Sequence, residues 1–354
     1  MLKSTSQDTT AIVVLRNQGF SLVELMLAML IGIIITGGVM SLYVSTRDTQ
    51  RSSDEQLQMV TDARFVIDMI GYDLRHAGSW GTTSQQISID CRLGGNCSFG
   101  DVVPLATSDC SDRDYANLDR PLFGANDINP YGSTCASNNY RANTDILQVR
   151  YADSSFVETD SLAQGTAYIR ANSIGGKLFV AAANGTIPDH DGYRWPSPDY
   201  DFITRNYPLV SHVYYVSNDT DPGDGIPSLR RVSLINGPEM NDEVILSGVE
   251  DFQVQFGLAD PQANPGDTQS VVTYVGADAI TCDLDWQKVS AVKIYVLMRS
   301  QRQDRAGIQG NRTYSYAGKT ADESDGFRRF LISSVIDLRN NVRLDELVTG
   351  QGGC

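Results

Sequence analysis

Basic residues are scarce in this chain. It holds 28 Lys and Arg against 43 Asp and Glu, so its formal net charge is −15 at pH 7. A surface this acidic repels phosphate backbones, and we therefore expect no nucleic acid as a partner. Two close basic pairs, Arg230 with Arg231 and Arg328 with Arg329, are interpreted as outward faces of a strand or helix.

Motifs of catalysis and cofactor binding are also missing. The chain contains no G-x-S-x-G, P-loop, G-x-G-x-x-G or H-E-x-x-H pattern. Each of these patterns builds a nucleophile, a phosphate cradle or a metal site, so its absence removes the most specific sign of that chemistry. We accordingly predict no catalytic residues, no cofactor and no enzyme activity.

Metal ligands are few. The chain has three histidines, and none of them is four residues from another. Two groups remain as metal candidates. One is the run at positions 189–191, Asp-His-Asp, and the other is Asp219, Asp221 and Asp224 in the segment SNDTDPGDG. Closely spaced carboxylates with glycine can hold calcium, but the downstream glutamate of an EF-hand is missing. A hairpin turn between two strands explains the same residues, so we predict no metal.

The cysteine spacings include no C-x-x-C pair of the kind that binds zinc. An even number of cysteines in an exported chain indicates disulfides, and six cysteines allow 15 pairings that sequence does not distinguish. The short spacings favour Cys91 with Cys97 and Cys110 with Cys135, which leaves Cys282 with Cys354. The six cysteines are Cys91, Cys97, Cys110, Cys135, Cys282 and Cys354.

One long apolar run lies near the N-terminus, at residues 20–43, FSLVELMLAMLIGIIITGGVMSLY. It is long enough to cross a bilayer core of about 30 Å as a helix. Glu24 is its one ionisable group apart from the terminal tyrosine. A carboxylate inside a membrane costs about 2.5 kcal/mol or more unless it is paired or near the interface. Glu24 is therefore either a residue at the headgroup boundary or a functional residue.

An apolar run near the N-terminus can belong to an ordinary signal peptide, a lipoprotein signal or a plain signal anchor. An ordinary signal peptide would be cut at a small-x-small site after the run, and the sequence Thr-Gly-Gly at 36–38 is a poor version of that site. A lipoprotein signal needs a cysteine just after the run, but the first is Cys91. A plain signal anchor stays open, because equal numbers of basic residues flank the two ends of the run.

The six residues from Gly19 to Glu24, GFSLVE, resemble the G-F-[ST]-L-[VIL]-E signature of type IV prepilins. The resemblance implies that a prepilin peptidase cuts between Gly19 and Phe20 and methylates the new N-terminus. Glu24 would become the fifth residue of the mature chain and would meet the amine of an adjacent subunit during assembly. The apolar run would stay on the mature protein, with the leader inside and the bulk of the chain outside.

The apolar run continues into a polar segment that contains no proline. Apolar residues recur there at spacings of three, four and seven, which predicts one stripe along an amphipathic helix. We expect a single helix from about Phe20 to about His76, ending near Gly78. The glycine pair at 37–38 is either a point of kinking or a site of close helix packing. The predicted stripe is Leu57, Val60, Ile67, Ile70 and Leu74.

Residues 79–144 are rich in Gly, Ser, Asn, Asp and Cys, which is typical of loops with short strands. We expect an antiparallel sheet packed on the second half of the helix, hence an α+β fold of the pilin kind. The domain boundaries are 1–19 for the leader, 20–43 for the membrane half of the helix, 44–78 for its amphipathic half, and 79–354 for a periplasmic β-rich domain. The predicted strands are 145–151, 167–171, 176–182, 209–216, 229–234, 244–256 and 289–298, with 326–338 as a helix or strand.

Later blocks extend the resemblance. FVIDMIGYDLRHAG, VYYVSNDTDPGDGIPSLRR, ILSGVEDFQVQFGLAD, VSAVKIYVLMRS and VIDLRNNVRL follow one another in order and look like the PilW family of minor pilins. Residues 80–144 and 150–208 match nothing in the family, and the first cysteine after the helix comes later than in many members.

The PilW resemblance implies a structural subunit, similar in role to the J-type pseudopilins. It would sit in the inner membrane before assembly and then in a pilus, at the tip. Its partners would be the prepilin peptidase, other minor pilins, the major pilin and a tip adhesin, in a pilus serving twitching, attachment or DNA uptake. The alternatives are a minor pseudopilin of type II secretion and a membrane-anchored exported binding protein or enzyme.

Overall fold

The structure of the protein is a computed structural model. It describes residues 19–82, 118, 120–132, 135–171, 176–181, 205–236, 239–259, 271–280, 286, 288–303, 312–322 and 324–340. The chain divides into two compact units, Met1–Glu55 and Gln56–Cys354, and each is described by itself. The predicted disulfide loops and the run at 189–191 lie mostly outside the described residues.

Helix α1 spans Leu22–His76 without interruption. In the first unit its side chains are exposed from Leu22 to Arg51, including the apolar ones. An 18-residue window of this helix has a mean hydropathy of 2.3 and none of it is buried, so by length and composition the helix could cross a membrane. The helix also continues through Gly37 and Gly38, where an added Cβ would meet nothing within 4 Å.

In the second unit α1 buries a stripe that differs from the predicted one. Leu57 is 67% exposed, and Val60 and Ile67 are only partly buried, whereas Ile70 and Leu74 are fully buried as expected. The prediction was wrong at Leu57 because the stripe runs through residues one or two positions away. The buried set on α1 is Met59, Ala63, Val66, Ile70, Gly71, Asp73 and Leu74.

The helix ends as predicted, at a glycine. Gly78 has a φ of +76°, a left-handed conformation that glycine adopts at low cost. Its N–H donates to the carbonyl of Arg150 at 3.1 Å, and a Cβ there would come within 2.9 Å of the Asn340 carbonyl oxygen. The C-terminus of α1 is thereby attached to the strand Ile146–Ala152, which contains Arg150.

Thirteen strands are found in the described residues, and all of their pairings are antiparallel. All the predicted strands lie in this set, and the segment left open at 326–338 is a strand. Two short 3-10 helices cover Thr159–Ser161 and Ala277–Ala279. The strands are β1 Leu122–Ala125, β2 Ile146–Ala152, β3 Ala167–Ala171, β4 Gly176–Val180, β5 Arg205–Ser217, β6 Ser228–Ile235, β7 Glu239–Ser247, β8 Val249–Ala259, β9 Val271–Val275, β10 Val289–Gln303, β11 Thr313–Tyr316, β12 Lys319–Asp322 and β13 Phe327–Asp337.

The strands form two large sheets rather than the single sheet expected. The seven-stranded sheet has the order β1-β2-β5-β3-β4, with β6 also on β5 and β7 on β6. The four-stranded sheet has the order β13-β10-β8-β9, and β11 and β12 make a separate hairpin. The buried stripe of α1 joins one hydrophobic core with side chains of both large sheets, which include Val149, Tyr214, Val254 and Val292.

The predicted strand at 244–256 is in fact two strands that separate at Gly248. This residue has a φ of +86°, and its Cβ position lies 3.0 Å from the Arg299 carbonyl oxygen. Its N–H donates to the Pro227 carbonyl at 2.6 Å, and its own carbonyl accepts the Arg299 N–H at 2.7 Å. The chain passes here from the seven-stranded to the four-stranded sheet.

Candidate assembly site

The residues around the predicted cleavage point lie just before the first helical turn. Gly19 and Phe20 are outside the helix, and the Phe20 side chain is 87% exposed. The first helical hydrogen bond runs from the Leu25 N–H to the Ser21 carbonyl at 3.1 Å. The bond between Gly19 and Phe20 therefore belongs to non-helical chain that precedes α1.

Ser21 and Glu24 together cap this helix. The Ser21 hydroxyl oxygen accepts the Val23 N–H at 3.4 Å, and the Glu24 carboxylate accepts the Ser21 N–H at 3.0 Å. The bond from Ser21 to Glu24 is the one that the glutamate makes in a capping box, while the Ser21 hydroxyl caps the amide two residues on, so two backbone donors at the helix start gain partners. The sequence carried the signal, Ser-x-x-Glu before an apolar run, but the prediction gave Glu24 a role in the membrane and in assembly and none as a helix cap.

The described part of the first unit exposes mainly apolar side chains, which favour association with lipid or with other helices. Apart from the capped first turn, the helix presents apolar side chains up to Tyr43, and Ile33 and Leu42 are about 70% exposed (71% and 69%). Thr36 bonds to the Gly32 carbonyl within the helix at 2.7 Å. Such a helix must bury its apolar surface in lipid or against other helices.

The predicted metal candidates in the described residues build a turn instead. Asp219 accepts the Gly225 N–H at 3.0 Å, and Asp224 accepts the Ile226 N–H at 2.9 Å. Bonds from backbone amides hold the pKa of Asp224 below its usual range. Asp221 lies between them in the loop that joins β5 to β6. Within the described ranges no group of three or more His, Cys, Asp or Glu could hold a metal ion.

Cys135 is the one cysteine in the described residues, and it is disulfide-bonded. Its partner lies outside those residues, so the pairing of Cys110 with Cys135 stays a prediction, as do the other two pairings. The surrounding loop is held by Asn129, whose side-chain amide donates to the carbonyls of Gly132, Cys135 and Ala136 at 3.0–3.1 Å.

A buried polar cluster under the C-terminal end of α1 was missed by the sequence reasoning. Asp73 is 3% exposed, and its carboxylate accepts hydrogen bonds from three side chains. Tyr151 donates at 2.8 Å, Tyr214 at 2.5 Å and His212 Nδ1 at 2.6 Å. The signal was an acid inside an otherwise apolar helical face, next to Leu74.

The pKa of Asp73 is lowered although its carboxyl group is buried, so its hydrogen bonds compensate for the loss of hydration. Burial alone would raise it, but the bond and charge of His212 and the bonds of Tyr214 and Tyr151 outweigh burial, and the pKa of Asp73 is lowered. The pKa values of Tyr151 and Tyr214 are raised by burial and by the same carboxylate. The cluster therefore holds an ionised Asp73 that fixes α1 on β2 and β5.

The second unit also contains a cleft of about 650 Å³ beside the β11–β12 hairpin. Its charged groups are paired within the chain. Arg329 donates to Glu250 at 2.6 and 2.9 Å, and Asp251 accepts bonds from Tyr316 and Gln253 at 2.7 and 2.9 Å. Burial raises the pKa of Asp251. The bond from Tyr316 to Asp251 attaches the hairpin to the four-stranded sheet, and the Arg329 to Glu250 pair joins β13 to β8.

Comparisons with known proteins point to one family. The family model for PilW, type IV pilus-assembly protein W, matches residues 213–340. The model for the prokaryotic N-terminal methylation motif matches residues 15–40, which include the capped helix start. No curated protein sequence matches the chain.

A solved structure, the type IV-like pilin TTHA1219 from Thermus thermophilus, aligns with 80% of this chain and 97% of its own. Its identity is 12% and its TM-score is 0.29, which is too low to establish a common fold. The two sequence matches carry the likeness: the chain is similar to the PilW family over residues 213–340 and carries the prokaryotic N-terminal methylation motif at residues 15–40.

Proposed function

We propose that this chain is a minor pilin that acts in assembly of a type IV pilus. It is cut by a prepilin peptidase between Gly19 and Phe20, methylated at Phe20, and held in the inner membrane by residues 20–43. From the membrane it enters the pilus with other minor pilins and the major pilin. The observation that carries this proposal is Glu24 in the first turn of an exposed apolar helix, directly after the Gly19 to Phe20 bond.

Cleavage changes what Glu24 can bind. The nitrogen of Phe20 becomes a cationic amine, one helical turn from the carboxylate. In an apolar environment an unpaired carboxylate is costly. Glu24 of one subunit therefore favours positions that bring it to the N-terminal amine of its own chain or of a neighbouring subunit. Before cleavage, the Ser21 N–H supplies part of that pairing within the chain. Glu24 thus sets the axial position of a subunit in the filament.

The tip is the position we propose in the filament. The second unit spans Gln56–Cys354, which is large for a repeating position in a dense helical array. A tip subunit has fewer neighbours, and it can present its loops to an adhesin. A minor pseudopilin of type II secretion uses the same anchor and is the second candidate within this class.

A membrane-anchored exported binding protein is the candidate of another class, favoured by the cleft near Glu250 and Asp251. Burial raises the pKa of Asp251, and a perturbed acid in a cleft is a common sign of a functional site. Cleavage after Gly19 distinguishes a pilin subunit from a membrane-anchored binding protein, because a plain signal anchor keeps its first nineteen residues.

The experiment is mass spectrometry of the N-terminal peptide from the native protein, combined with counts of surface pili. We expect the mature chain to begin at methylated Phe20. Glu24→Ala should lower pilus number on the order of tenfold, since a charge-assisted pair contributes about 1.5–3 kcal/mol. Asp54→Asn, an exposed acid on the same helix, is the matched control and should leave pilus number unchanged. An uncut bond after Gly19 would remove the proposal.

A further inference from the structure

On the outer face of the four-stranded sheet, some side-chain hydrogen-bond donors have no acceptor among the residues that the structure describes. Alternation along β10 sends Val292, Ile294 and Val296 into the core and Lys293 and Tyr295 to the opposite face. On that face Lys293 lies opposite Gln255 of β8 and opposite Val335 of β13. We call the set Gln255, Tyr274, Lys293, Tyr295 and Val335 the Lys293 patch.

Lys293 has no anionic partner among the described residues. In the described part of the chain its Nζ makes no ion pair, and its contacts are two aromatic rings. The ring centroid of Tyr295 lies 5.1 Å from Nζ and that of Tyr274 lies 5.8 Å away. Cation–π contacts attract the ammonium group but accept none of its three N–H bonds. This stands out in a chain with 43 acidic residues.

The neighbours of Lys293 add donors rather than acceptors. Tyr295 donates its hydroxyl to Gln255 Oε1 at 3.1 Å, so the Gln255 side chain has its amide NH₂ donors left for another partner. Two acids of the described residues share this face. Asp251 is occupied by Tyr316 and Gln253, and Asp337, opposite Ala291 on the next strand, does not reach ion-pair distance from Lys293.

The shape and composition of the patch fit a protein better than a small molecule. Small-molecule sites are concave, whereas the cleft of this unit is lined by other residues and the patch is the open surface of a sheet. Val335 is 48% exposed and gives the patch an apolar component. Tyrosine, of which the patch has two, is enriched at protein interfaces.

We propose that the Lys293 patch docks an acidic segment of another protein, with an Asp or Glu carboxylate on Lys293 Nζ and an apolar side chain on Val335. The carboxylate would complete the bonds of the ammonium group, and the two tyrosines would exclude water around the pair. This proposal goes beyond the proposed function, because it does not depend on cleavage after Gly19.

The test uses the full chain in the cells that make it. A photo-cross-linking amino acid replaces Ser333, an exposed residue opposite Tyr295, and the cross-linked segment is identified by mass spectrometry. We expect a cross-link to an Asp- or Glu-containing segment of another protein. Lys293→Glu should lower its yield on the order of tenfold, and Lys293→Arg should retain it.

Two further variants keep the result interpretable. Arg302→Glu makes the same charge change at an exposed site of β10 and should leave the yield unchanged. Lys293→Gln removes the charge with little change in size, so it replaces Lys293→Glu if that protein fails to accumulate. Reversal of the identified acid to Lys should restore the cross-link in Lys293→Glu. The proposal would be overturned by a cross-link to a second copy of this chain or to a segment without acids. It would also be overturned if no cross-link formed, or if the yield did not change with the residue at position 293.

Discussion

Asp73 lies beneath α1 with both carboxylate oxygens engaged by the seven-stranded sheet. A buried carboxylate without partners would be strongly destabilising, and here three donors compensate its loss of hydration. The cluster is specific as well as stabilising, since a rotated helix would separate Asp73 from Tyr151, His212 and Tyr214.

Asp73→Asn should lower the free energy of unfolding by about 3 kcal/mol at pH 7, because the ionised acceptor of three bonds is lost. The lowered pKa of Asp73 means that its contribution is fully present above the unfolded value, about 3.9, and is lost as pH falls through the folded value. Urea unfolding of the full chain in detergent between pH 3 and 8 measures both effects. Asp68→Asn, an exposed position on the same helix, is the control. A penalty for Asp73→Asn that is the same at pH 3 and pH 7 would contradict the assignment.

Asp145 should change the free energy of unfolding with pH in the opposite direction to Asp73, and the same urea titrations measure it. Burial raises its pKa to about 7, although the backbone N–H groups of Val254 and Asp127 and the charge of Lys319 act against burial. The folded state then holds this proton more tightly than the unfolded state, so stability falls as pH rises from about 4 to 7. The penalty of Asp145→Asn should therefore shrink over the range in which that of Asp73→Asn is constant.

At the scale of elements, α1 combines two kinds of surface. Up to Val44 its apolar side chains are all exposed, whereas from Met59 onward one face is buried in the core of the second unit. The change of pattern along one helix is what separates the two compact units of the chain.

Ile70→Ala should destabilise the second unit by about 2–5 kcal/mol, because Ile70 is fully buried and the change leaves a cavity. Leu57→Ala removes a similar side chain from a position 67% exposed and should change stability by less than about 0.5 kcal/mol. Thermal unfolding of both variants measures the difference. Equal losses would mean that the buried stripe is the one expected from the sequence.

The sequence predicted the existence of α1 and of the strands but not their finer register. Helix bounds follow from an apolar run without proline and from Gly78, which are local signals. The stripe was misplaced because Leu57 fits the helical period and only the sheet beneath decides whether it is covered. The break at Gly248 was missed for a similar reason, since the bonds that fix its backbone come from Pro227 and Arg299.

At the scale of the whole molecule, the second unit is two antiparallel sheets that share one core with part of α1. An antiparallel, helix-packed fold could be predicted from alternating segments and turn residues. The number of sheets could not, because it depends on which strands pair over long distances. The Asp73 cluster was likewise out of reach, since its members come from three separate elements.

A fragment that spans Gln56–Cys354 should fold in water without detergent, because every buried residue of α1 lies within it. A fragment that begins at Gly78 should fail to fold. It loses Val66, Ile70 and Leu74, all fully buried, and each contributes about 1.5–3 kcal/mol against a total of about 5–15. Near-ultraviolet circular dichroism with urea titration distinguishes the two. A cooperative transition in the shorter fragment would show that the sheets do not need the helix.

The attachment of α1 by Asp73 also restricts which insertions and deletions this gene can accept. Each residue added to an α-helix turns everything beyond it by about 100°. One extra codon between Met59 and Asp73 would therefore leave either the apolar stripe or the carboxylate facing water, whereas a loop such as that between β5 and β6 could lengthen at its surface. We expect length variation among related chains to be confined to loops, with this helical segment constant in length.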